Sequence, residues 1–70
     1  MTGKGRQTFI KFLSEDHEAA RRTYNAGAEE ERLIAWGTMI GLEAAAHYAG
    51  LATLNRDLAE LRRRDCGGEP

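Results

Sequence analysis

The sequence has few of the residues that staple or interrupt a chain. Its one cysteine is Cys66, and its one proline, Pro70, is the last residue. A single thiol cannot close an internal disulfide, so a reducing, cytoplasmic setting is the expectation. Neither sign of charge is in excess. Ten basic and eleven acidic residues leave a net charge of -1, which argues against a strongly basic nucleic-acid binder and against an acidic tail protein. Several catalytic and cofactor signatures are missing too. There is no Cys-x-x-Cys, no glycine-rich phosphate loop after a strand, and no serine with a histidine-acid relay. No enzyme activity and no cofactor are therefore expected. The polar start, Met1 to Arg6, leads into no apolar run that reads as a signal peptide.

One stretch approaches the length of a membrane span. From Leu33 to Leu54, Glu43 and His47 are the only residues among Asp, Glu, Lys, Arg and His. Many of the others are alanine, glycine or threonine, and a central glutamate costs about 2.5 kcal/mol or more to insert. The reading is a soluble chain with no membrane contact, in which this segment is a helix buried on most sides.

Leucine, alanine, glutamate and arginine dominate, a helix-forming composition. Seventy residues make one helical domain, 1–70, with short flexible ends at about 1–6 and 66–70. A chain this short is marginally stable alone and commonly relies on a partner.

Ile10, Leu13, His17, Ala20 and Tyr24 alternate three and four apart, which places them on one helical face. They predict a first helix over about 7–25, kinked near Ser14, where Glu15, Asp16 and Glu18 imitate a helix start. The competing pattern is an extended segment over 8–13 followed by a shorter helix. Asn25-Ala26-Gly27 offers a left-handed stop. Glu29, Glu30 and Glu31 suit the positive end of a second helix, and Arg62, Arg63 and Arg64 its negative end. Between them lies no proline and no turn cluster, and Gly50 stands between Ala49 and Leu51, which are poor loop residues. The expectation is one long helix over about 28–65, ended by Gly67 and Gly68, with Glu69 and Pro70 as tail. The alternative is a three-helix bundle broken near Gly50.

On that long helix Glu30, Leu33, Gly37, Ile40, Ala44, His47, Leu51, Leu54, Leu58 and Leu61 trace a seam with a 3.5-residue period. Gly37 and Gly41 form a GxxxG pair of the kind that lets helix axes approach closely. A first helix of about 30 Å cannot cover a second of about 55 Å. The leucines from Leu51 to Leu61 would then be bare, and each is worth about 1.5–3 kcal/mol when buried. A second copy repairs this, so a homodimer of hairpins, as a four-helix or coiled-coil assembly, is expected. Its interface would comprise Gly37, Ile40, Gly41, Ala44, His47, Leu51, Leu54, Leu58 and Leu61. A break at Gly50 would instead turn the seam into an internal core.

Glu43 and His47 lie one helical turn apart, a spacing that can share a metal or a proton. Two ligands are too few, and the favoured reading is a histidine bonded to a neighbouring carboxylate. On the seam, His47 would also make assembly pH-sensitive. His17 is read as a solvated or core-edge histidine and Cys66 as a spectator thiol. Arg56, Arg62, Arg63 and Arg64 could line a phosphate-binding stripe in a dimer, although interleaved acids argue against it. The sequence therefore points to a small non-enzymatic interaction or regulatory protein, of adaptor or inhibitor type, that binds itself and another protein. A nucleic-acid-binding dimer and a metal-binding bundle are the alternatives.

Overall fold

Residues 2–67 are described by a computed structural model. Among them the chain is all-α, with helices α1 (Gly3–Ala26), α2 (Glu29–Tyr48) and α3 (Ala52–Cys66). No helix among the described residues is long and apolar enough to cross a membrane.

Helix α1 begins earlier than its apolar pattern does, because Thr2 caps it. The Thr2 hydroxyl accepts the Gly5 N–H at 3.1 Å. The helix runs unbroken through Ser14, so residues 8–13 are helical and not extended. Leu13, His17, Ala20 and Tyr24 are its buried face, as the spacing predicts. The stop differs from the left-handed one expected. Asn25 and Ala26 are helical, and Gly27 is extended at φ -88° and ψ 165°. Gly27 is needed for space instead. A Cβ there would stand 2.7 Å from the Thr23 carbonyl oxygen and 2.8 Å from the Glu31 side chain.

The single long helix over 28–65 is not what the chain forms. It breaks at Ala49-Gly50-Leu51, and α3 folds back. Gly50 takes φ 78°, its N–H reaches the His47 carbonyl, and the Leu51 N–H reaches the Ala46 carbonyl at 2.9 Å. These are the two bonds of a Schellman turn, which needs a left-handed residue and then an apolar one contacting the last helical turn. Leu51 is that apolar residue, buried against Ala46 and Leu13. At the far end, Gly67 stops α3 with φ 75°. The expected stop at Gly68 and the tail Glu69-Pro70 lie outside the described residues.

The fold-back disposes of the mismatch in length. Leu51 and Leu58 are buried inside the chain's own bundle, and Leu54 and Leu61 are half-buried. Among the described residues the interior has two apolar clusters. Ala20, Tyr24, Ala35 and Met39 form one, with Trp36 and Cys66 against it. Leu13, Ala46 and Leu51 form the other, flanked by Phe9, Ile10, Leu42 and Leu54.

Candidate functional site

A buried polar cluster joins the three helices. His17 is fully inaccessible and Glu43 nearly so. His17 comes from the apolar face of α1, Glu43 from the inner face of α2, and Arg62 from α3. The His17 Nε2 lies 3.1 Å from Glu43 Oε2. Arg62 grips the same carboxylate with both ends of its fork, Nε to Oε2 at 2.7 Å and Nη2 to Oε1 at 3.0 Å. Its guanidinium lies over the Trp36 ring, 4.6 Å from the centroid. Arg21 donates from Nη1 to His17 Nδ1, and from Nε to Asp65 Oδ2 at 3.1 Å.

This arrangement fixes the imidazole proton. A guanidinium can only donate, so Nδ1 must accept and Nε2 carries the hydrogen given to Glu43. His17 is therefore neutral. Burial holds its pKa below the ordinary histidine value, overriding the hydrogen bond to Glu43, which raises it. Among the described residues, no buried side-chain nitrogen or oxygen lacks a hydrogen-bond partner. With Glu43 committed to two partners and His17 saturated at both nitrogens, the cluster is a clasp between helices. Removing one member of such a set typically costs about 3–5 kcal/mol.

The second feature is the outside of α2. At about 100° per residue, Ala35, Met39 and Ala46 face the interior. Leu33, Ile34, Gly37, Ile40, Gly41 and Tyr48 fall on the opposite side and are exposed, with Ala44 half-buried among them. Ile34 is 70 % and Tyr48 86 % accessible. No Asp, Glu, Lys or Arg interrupts this face between Leu33 and Tyr48. A Cβ on Gly37 or Gly41 would meet nothing within 4 Å. Each glycine costs a helix interior up to about 1 kcal/mol relative to alanine, and nothing inside this chain requires either.

The chain matches no protein-family model, no curated protein and no solved structure.

The residues singled out by sequence are thus divided. Gly37, Ile40, Gly41 and His47 stand on the outside of α2, while Leu51 and Leu58 belong to the core. Glu43 does have a histidine, but it is His17 from another helix. His47 is exposed, and its ring meets Tyr48 edge-on at 5.3 Å. Among the described residues no group of three or more His, Cys, Asp or Glu could hold a metal. The arginines do not gather into one face. Arg62 turns inward, Arg56 lies 3.6 Å from Asp57, Arg64 lies 3.4 Å from Asp65, and Arg63 is exposed. Cys66 packs against the first apolar cluster, and burial pushes its thiol pKa up, away from reactivity.

His17 is no core-edge histidine, and the reason was visible. It shares a face with Leu13, Ala20 and Tyr24, and an apolar stretch containing one glutamate needs a partner for it. The spacing along one helix could not show that Arg21, Arg62 and Asp65 complete the set.

Proposed function

We propose that this protein is a small non-enzymatic interaction or regulatory protein that works as a homodimer through the outer face of α2. The observation that carries the reading is the combination of large exposed apolar side chains with two mid-helix glycines that the chain's own packing does not use. A contiguous uncovered apolar face is the usual mark of an association surface. Small residues at its centre allow another helix to come close, and Leu33, Ile34, Ile40 and Tyr48 supply the area to be buried. The polar cluster is satisfied within the monomer, so it supports the fold and leaves the work to the surface. The arginine residues give no comparable surface for phosphate.

The test is sedimentation of the purified protein with and without a charge on this face. The wild-type chain is expected to be dimeric at micromolar concentration. Gly37→Glu and Ile40→Glu are expected to be monomeric, with helical circular dichroism unchanged because both positions are exposed. A wild-type chain that stays monomeric at about 100 μM, far above the concentration at which specific dimers of nanomolar to micromolar affinity form, would overturn the reading.

A further inference from the structure

The dimer reading leaves open how two α2 helices meet, and the order of side chains along the exposed face bears on this. Met39 is central in α2 and points inward. Two pairs of positions at equal steps on either side of it match in the space they leave. One step away are Thr38 and Ile40, two steps away Gly37 and Gly41, five steps away Ile34 and Ala44, and nine steps away Glu30 and Tyr48. Ile34 stands toward the N-terminal end and Ala44 toward the C-terminal end, with a glycine on each side of the centre.

Resting on the reading above, we infer that the partner is a second copy whose α2 lies antiparallel, with a two-fold axis at the level of Met39. In that register Gly37 meets the partner's Gly41, and the two backbones approach where neither carries a side chain. Ile34 comes level with the partner's Ala44, so bulk meets space at both ends. An isologous contact requires one patch to complement itself, and this face does so only when reversed. In a parallel pair, Ile34 would meet the partner's Ile34, and Ala44 would face the partner's Ala44 across a gap.

Charge selects the same orientation. Glu29, Glu30 and Glu31 crowd the first turn of α2 and all are exposed. A parallel pair would set these three carboxylates against their own copies, which is repulsive. The antiparallel pair separates the two triplets by most of the helix. It also brings Glu30 level with the partner's Tyr48, whose hydroxyl can donate to the carboxylate. On the near side, His47 stands beside Tyr48 and is exposed, so that end of α2 carries hydrogen-bond donors and no acid.

The measurement is a spin-label distance in the full chain, with Cys66→Ser to leave one labelling site. Labels at Glu30→Cys are expected about 27 Å apart along the helix axis, from eighteen residues at 1.5 Å each. A parallel pair would place them about 10 Å apart, near the separation of packed helix axes. Glu29→Cys lies to one side of the contact and serves if a label at position 30 prevents assembly. Its expected separation is about 30 Å. Mixed Glu30→Cys and Tyr48→Cys copies should form a disulfide-linked dimer on mild oxidation, and Glu30→Cys alone should not. A dimer by sedimentation with labels near 10 Å would overturn the antiparallel register and leave the dimer reading intact. A monomer by sedimentation would overturn both.

Discussion

A carboxylate, an imidazole and two guanidinium groups share the middle of this small interior, and each constrains the protons of the others. Because Arg21 occupies Nδ1 as a donor, a second proton on His17 would set donor against donor and break the link to α1's own arginine. The consequence for stability has a definite sign. Burial lowers the folded pKa of His17 below its unfolded value near 6.5. The unfolded chain therefore binds a proton that the folded chain refuses. This contribution to stability is complete above about pH 6.5 and is lost as pH falls through the unfolded value toward the folded one. Its slope is at most about 1.4 kcal/mol per pH unit. Urea denaturation is expected to show a falling midpoint from pH 7.5 to 5, a range above most carboxylate titrations, and His17→Gln should flatten it. A wild-type midpoint that stays level over that range would mean that His17 is not held neutral.

Helices α2 and α3 are joined by Ala49, Gly50 and Leu51, and the turn rests on the glycine. Gly50 adopts φ 78° with open space where a Cβ would go, so a substitution there is penalised through the backbone alone. Gly50→Ala is expected to lower stability by about 1–2 kcal/mol, the usual cost of a left-handed L-residue. Gly50→Asn should recover part of that, because asparagine tolerates the conformation. Thermal denaturation of the two variants checks the order, and an alanine variant as stable as the wild type would count against the turn. The sequence offers this break near Gly50 as the alternative to one long helix, and the three-helix alternative is the one that forms. Ala49 and Leu51 look like helix residues, and neither a proline nor a polar turn cluster stands beside them. A Schellman turn needs neither, and its apolar third residue disguises the stop as continuation. The face of α1 was easier, since Leu13, His17, Ala20 and Tyr24 keep one period throughout. The site was legible only in halves. An apolar stretch holding one glutamate is a local signal, but Glu43 is 26 residues from His17 and 19 from Arg62. Only the fold-back that Gly50 creates brings Arg62 within reach.

The whole molecule is a rod, 39 × 16 × 16 Å in its Cα extents, and its three helices are fastened differently. Helices α1 and α2 each bury four residues, whereas α3 buries Leu58 alone. What α3 lacks in apolar contact it replaces with polar fastenings: Arg62 on Glu43, Arg21 on Asp65, and Asn25 donating to the Asp65 carbonyl at 3.1 Å. Charged groups recover hydration when they part, so little apolar burial resists their separation. The rod therefore has a preferred order of coming undone, in which α3 peels away while the α1–α2 hairpin persists. Native-state amide exchange is expected to be fastest in α3 and slowest around Leu13, Ala20 and Met39. Equal protection across all three helices would show a single cooperative unit. With its last fifteen helical residues held as a latch, this chain would uncover Trp36 and Glu43 on peeling without unfolding the outer face of α2, the surface proposed for association.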